Sequence, residues 1–229
     1  MFGIPIRFHD YQKLILKTNV DFVEFHLSYK DLDEDLSTIF DQVQDVGLAV
    51  HCPELFYGDH ILDLCSKEND YRIRSISELQ NVVDITRKLK LYFPKTTKPL
   101  LVINAGGFNK TSFLGKEDIV IMYEKVADAL NQIDSDGVEL IIQTMPPFPW
   151  HFGGQSFHNL FVNPDEIVDF CKKTGYRICL DVSHSQMACF YNKWSLNEFV
   201  KKVSPHVAHL HVVDALGVDG EGVQIGQGD

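Results

Sequence analysis

The chain has 229 residues, 45% of them hydrophobic, enough to bury a sizeable core in a single domain spanning 1–229. Its formal charge of −11 speaks against a nucleic-acid partner, which is held by clustered Lys and Arg. Five cysteines with no C-x-x-C pair exclude a disulfide framework and predict a reducing, cytoplasmic setting, while Arg7 and Asp10 do not suit a signal peptide and no apolar run suits a membrane span.

Short apolar runs alternate with amphipathic stretches along the chain. Residues 3–8 predict a first strand and 11–17 a short helix. Residues 21–27 read as a strand with Glu24 and His26 on one face, either a buried structural pair or a substrate contact. From Asp33, the apolar positions Leu36, Ile39, Phe40, Val43 and Val46 keep helical spacing, and Gly47 can end that helix. Residues 48–51 are the next strand, ending in His51. A loop follows to about residue 74. Ser75 with Glu78 predicts a capping box for a helix that Pro94 closes. Residues 99–104 form a continuous apolar run, the pattern of a strand covered on both faces, and end in Asn104.

A long helix is predicted over 117–133 and a fifth strand over 138–145, carrying Gln143. The segment 146–154, with Trp150 and His151, is a lid or docking surface, or else only packs over the strand ends. Asn163, Pro164 and Glu166 mark a helix start, and Gly175 its end. The strand at 176–180 leads to Asp181, with His184 in the next turn. A carboxylate at the end of a buried strand is costly without compensation. A metal shared with a nearby imidazole would compensate it, and so would a role as N-cap of the following helix. Ser195 and Glu198 predict another capping box. Residues 208–213 form a last strand with His209 and His211 on one face, followed by Asp214 and a glycine-rich tail carrying Asp219 and Glu221.

Strands alternating with helices imply parallel βαβ units, and with no Gly-x-Gly-x-x-Gly turn a (β/α) barrel is favoured over a dinucleotide-binding sheet. The expected fold is therefore α/β, a TIM-type barrel of parallel strands that is incomplete at the eighth strand. His51, Asn104, Gln143, Asp181, His184, His211 and Asp214 gather at the C-terminal strand ends, the active-site face of such a barrel.

Four segments carry a resemblance: Val50-His51-Cys52-Pro53, 179–184 (Cys-Leu-Asp-Val-Ser-His), 209–214 (His-Leu-His-Val-Val-Asp) and 225–229 (Ile-Gly-Gln-Gly-Asp). In this order they resemble the xylose isomerase-like TIM barrels, the superfamily of sugar and sugar-phosphate isomerases and epimerases and of abasic-site endonucleases. More narrowly, residues 24–31, 146–154 and 219–226 look like the barrel domain fused to some N-acetylneuraminate (sialic acid) synthases. The resemblance implies a divalent metal (Mn, Zn, Co or Mg) on Asp181 and His211, with Gln143 standing in place of the family's glutamate. It implies that His184 binds a second metal or contacts substrate, and that His51 matches a ligand of the endonuclease branch, in which Asn104 replaces a histidine. The chain stops near the loop after the seventh strand, so the eighth strand and its glutamate are expected to be missing from it, as in a C-terminally truncated piece.

The candidate site thus comprises His184 and Glu221 for catalysis, His51, Asn104, Trp150 and His151 for substrate, and Gln143, Asp181 and His211 for metal. Gln143 can coordinate through its carbonyl oxygen but cannot act as a base. Asp219 and Glu221 could supply the missing charge, or lie in a solvated turn. The expected function is a metal-dependent isomerase or epimerase of a small sugar or sugar phosphate. The alternative is a catalytically degenerate sugar-binding or interaction domain of a sialic-acid-type pathway. A homo-oligomer or a fused synthase domain is the expected protein partner.

Overall fold

The computed structural model describes residues 1–151 and 154–229, with the side chain of His151 outside the description. Among the described residues, seven strands of one sheet are separated by seven α-helices, the last two helices both falling between the last two strands. The strands are β1 (Gly3–Ile6), β2 (Phe22–His26), β3 (Gly47–His51), β4 (Leu100–Ile103), β5 (Glu139–Gln143), β6 (Arg177–Asp181) and β7 (Val207–His211). The helices are α1 (Tyr11–Ile15), α2 (Leu36–Ile39), α3 (Asn69–Lys90), α4 (Lys116–Asn131), α5 (Pro164–Thr174), α6 (Val182–Asn192) and α7 (Leu196–Val203). The strands form one parallel sheet in chain order from β1 to β7. That is the strand order of a (β/α) barrel, and it ends at β7 with no hydrogen-bonded link back to β1 among the described residues. No helix is long and apolar enough to cross a membrane among them.

The chain falls into two compact units. The first gathers Met1–Leu62, Ile73–Ile103 and Gln132–Leu140. Its core is an aromatic cluster: Phe25 of β2 meets Phe8 edge-on at 5.1 Å and Phe93 at 5.7 Å, and Tyr11 meets Phe40 at 5.2 Å. Such edge-to-face pairs add about 0.5–1.5 kcal/mol each beyond the area they bury. The second unit gathers Asp63–Arg72, Asn104–Asn131 and Ile141–Asp229. Here Ile141 and Ile142 of β5 and Ile178, Cys179 and Leu180 of β6 are buried, as continuous apolar runs in a parallel sheet should be.

Several local expectations hold. Asn163 caps α5 by accepting from the Asp165 amide, and Gly175 closes it in the left-handed conformation at φ 81°. Ser195 caps α7 by accepting from Glu198 N–H. Three others are corrected. The helix expected from Asp33 to Val46 is a single turn, α2, preceded by a 3-10 segment. Ser37, Thr38, Asp41, Val43, Asp45 and Val46 are weak helix formers, and Val43 is exposed rather than packed. Gly47 does not end a helix but opens β3, where a side chain would meet the Phe22 Cβ and the Asp21 carbonyl. Ser75 is no cap: it lies inside α3, fully buried, and its hydroxyl meets His60 Nε2 at 2.9 Å.

Candidate active site

The site is built where β6 runs into α6. Asp181 is the last residue of β6 and the N-cap of α6, so its carboxylate is fixed before any ligand is considered. Its Oδ1 accepts from the His184 backbone N–H at 3.0 Å and from the Ser183 hydroxyl at 2.7 Å. Its Oδ2 is turned the other way, accepting from Gln143 Nε2 at 2.9 Å and lying 3.4 Å from His211 Nδ1. The strands supply this register directly: Asp181 pairs with His211, while Cys179 pairs with His209 on one side and Gln143 on the other. Thr144 clamps the junction, its hydroxyl accepting from the Asp181 amide at 2.9 Å. Burial alone would raise the Asp181 carboxyl. The His184 charge, the hydrogen bond from His211, the His184 amide and Ser183 outweigh it and hold the group below the usual carboxylate range.

His184 is buried in the first turn of α6, between two oxygens. Its Nδ1 lies 2.7 Å from the Thr144 carbonyl and its Nε2 lies 3.2 Å from Glu221 Oε1. Both neighbours are acceptors, so the ring is a double donor with no lone pair left for a metal. Burial opposes its charge, but Asp181 and Glu221 together raise its pKa above the ordinary histidine value.

Glu221 comes from a hairpin of Asp214–Leu216 with Gly220–Val223. The turn is no loose tail: Asp214 Oδ2 accepts from the Gly226 and Gly228 amides at 2.9 and 3.0 Å. A side chain at Gly228 would strike Asp214 Oδ1. Gly228 therefore allows the close approach of the tail to Asp214 and the Ala215 carbonyl. The Glu221 side chain is 58% exposed. Asp219 is exposed in the turn.

A divalent ion fits the donors on the inner side of this cluster. Asp181 Oδ2 and a His211 nitrogen face one another, and a half-turn of the Gln143 amide presents its oxygen where its nitrogen now points. This set carries only one negative charge.

The remaining candidates stand on other elements. His51, at the end of β3 in the first unit, stacks on His26 with ring centroids 4.6 Å apart, and His26 pairs with buried Glu24 at 2.7 Å. Glu24 and His26 are thus a pair, as the strand alternation predicts. Asn104 is buried just after β4 in the second unit. Trp150 is 69% exposed on a ribbon, Trp150–His151 with Gly154–Gln155. The His151 side chain, with Phe152 and Gly153, lies outside the described residues. Two residues were missed from sequence: Thr144, which no pattern flags, and Cys179, which the two-residue period from Asp181 places on the same strand face.

Residues 13–229 match the family model described as xylose isomerase-like TIM barrel. An uncharacterized protein of Methanocaldococcus jannaschii is 26% identical over 222 residues, covering 93% of this chain and 77% of that protein. The crystal structure of a D-tagatose 3-epimerase-like protein superposes with a TM-score of 0.67 at 19% identity, over 100% of this chain and 82% of that one. Endonuclease IV from Thermus thermophilus does so with a TM-score of 0.58 at 14% identity, over 96% and 79%. The two structures share the fold, and the family match over residues 13–229 makes this chain a member of the xylose isomerase-like TIM barrel family.

Proposed function

We propose that this chain is an isomerase or epimerase of a small sugar or sugar phosphate, with Glu221 as its proton-transfer group. The observation that carries this reading is the Glu221–His184 contact at 3.2 Å, made by a half-exposed carboxylate on a buried, doubly engaged imidazole. Glu221 takes the proton from the carbon next to the substrate carbonyl, and the C–H electron pair forms the ene-diolate. Return of the proton from Glu221 to the neighbouring carbon, with the hydroxyl proton passing to the former carbonyl oxygen, completes an isomerisation, whereas an epimerisation takes its proton from water on the face opposite Glu221. His184 fixes the Glu221 oxygen that does not react. Asp181 orients Gln143 and His211. A divalent ion held by Asp181, His211 and Gln143 would supply polarisation of that carbonyl. Exposed Trp150 offers an apolar face to a sugar ring, and His51 and Asn104 serve as substrate contacts.

The test is exchange of the carbon-bound proton into D₂O, followed by NMR across a panel of ketoses, aldoses and their phosphates. Glu221→Gln should lower the exchange rate by about 10²–10⁴-fold, the usual contribution of a positioned general base. Wild-type exchange that survives in Glu221→Gln rejects the assignment.

A second reading has one observation in its favour. The Gln143 amide already satisfies Asp181 Oδ2 at 2.9 Å without an ion. In that reading the barrel is a sugar-binding domain without turnover, of the kind fused to sialic acid synthases, and the panel gives binding but no exchange. A cytoplasmic setting suits both readings, since all five cysteines are buried thiols.

A further inference from the structure

The donors around Asp181 are not the only ones that could receive a cation in the second unit. Cys179, His209 and His211 each offer one ligand atom, and these atoms lie within 4.8 Å of one another. The arrangement follows from the sheet. Cys179 pairs with His209 across β6 and β7, and His211 is two residues further along the same face of β7. The two imidazoles stand nearly perpendicular with centroids 5.3 Å apart, an edge-to-face pair. Two ligands of one tetrahedral zinc ion stand about 3–4 Å apart, given bonds of about 2.0–2.3 Å to nitrogen and sulfur. Small side-chain rotations therefore close the three atoms onto a single ion.

Charge gives a second, independent reason. Gln143 and His211 are neutral donors, so with Asp181 alone most of a divalent charge is left uncompensated. Cys179 is the register neighbour of Gln143, and on ligation its thiol gives up a proton to solvent and becomes a thiolate. Asp181 Oδ2, 3.4 Å from His211 Nδ1, lies against the same histidine. One thiolate and one carboxylate balance a divalent ion. A sulfur and two imidazole nitrogens select a borderline or soft ion over Mg²⁺ or Mn²⁺.

We propose that Cys179, His209 and His211 form a soft divalent-cation site, suited to Zn²⁺ or Co²⁺. The site does not depend on the isomerase reading, because its ligands bind whether or not Glu221 moves a proton. Co²⁺ serves as the probe, added to the metal-stripped full chain. Thiolate ligation to Co²⁺ gives a sulfur-to-metal charge-transfer band in the near ultraviolet, which oxygen and nitrogen ligands alone do not give. The band is expected in the wild type, absent in Cys179→Ser, and retained in Asp181→Asn, whose amide oxygen still caps α6. His209→Gln should weaken Zn²⁺ binding in a competition titration by more than the about 10–100-fold that loss of an outer-shell group costs. Three results overturn the site: no Co²⁺ or Zn²⁺ binding by the wild type, Co²⁺ binding without the band, or a band that persists in Cys179→Ser. Should Cys179→Ser fail to fold, His209→Gln decides alone, and unchanged Zn²⁺ affinity in it rejects the site. A protein that shows the band but no proton exchange would keep this site and lose only the isomerase reading.

Discussion

Two buried histidines, one in each compact unit, are held in opposite states by their neighbours. His60 in the first unit meets the Ser75 hydroxyl at 2.9 Å. Burial first, and the Arg74 charge second, push its pKa down to about 4. His184 in the second unit stands between the Thr144 carbonyl and the Glu221 carboxylate, with Asp181 Oδ2 at 3.8 Å, and its pKa is raised. Burial favours the neutral form in both places. What reverses the outcome is the pair of carboxylates, and these come from different elements, a strand end and a hairpin. A neutral buried imidazole beside a hydroxyl fills and orders a core. One between acids is tied to carboxylates from two separate elements.

The comparison breaks most sharply at Asp181. Asp181→Ala removes the N-cap of α6, the acceptor of Ser183 and Gln143, and a counter-charge of buried His184. Leaving one member of a buried charge pair alone costs about 3–5 kcal/mol. Urea denaturation should show a loss in that range for Asp181→Ala. Asp181→Asn keeps the cap and should lose distinctly less. Equal losses would mean that the charge facing His184, lost in both variants, and not the cap, accounts for the effect.

His60 sharpens the same contrast through pH. Its folded pKa lies below the unfolded value of about 6.5. The unfolded chain therefore takes up a proton first as pH falls. Stability from keeping His60 neutral is complete above about pH 6.5 and is lost as pH falls towards 4. The slope is at most about 1.4 kcal/mol per unit, and the whole window holds at most about 3 kcal/mol, less where water screens the ring. Urea midpoints at several pH values, compared between wild type and His60→Phe, isolate the slope. A variant as steep as the wild type would show that His60 is not the titrating group.

Much of the fold was legible because parallel strands write themselves as apolar runs. The runs at 99–104, 138–145 and 176–180 became β4, β5 and β6, and the polar residues that end β5 and β6 stand in the cluster. What was not legible depends on contacts distant in sequence. Glu221 reaches His184 from a hairpin of 214–216 with 220–223, and Asp214 ties down the Gly226 and Gly228 amides that follow it, whereas composition alone reads that stretch as a loose turn. Helical spacing at 36–46 predicted a helix that weak formers and an exposed Val43 did not sustain. Asp181 could be read as a cap or as a site ligand, and its two oxygens divide: Oδ1 caps, and Oδ2 faces Gln143 and His211.

The smallest effects separate two residues that the sequence presents alike as helix starts. Ser75 and Asn163 both precede an acid by three residues, but only Asn163 is a cap. Asn163→Ala removes one acceptor for the Asp165 amide at an exposed helix end, where water takes over part of the bond. Its expected cost is about 1 kcal/mol. Ser75→Ala acts at a fully buried point inside α3, where it takes the hydroxyl contact from His60 and water does not replace it. Taking a partner from a buried polar group costs about 1–3 kcal/mol, and alanine, the better helix former, recovers only a fraction of that. Paired urea melts at pH 7 should therefore rank Ser75→Ala as the more damaging of the two. The Ser75→Ala loss should shrink when combined with His60→Phe, since the double variant has no imidazole to lose the contact, whereas Asn163→Ala should add to His60→Phe without coupling. Coupling of the second pair and additivity of the first would reverse the assignment of the two serine- and asparagine-led motifs.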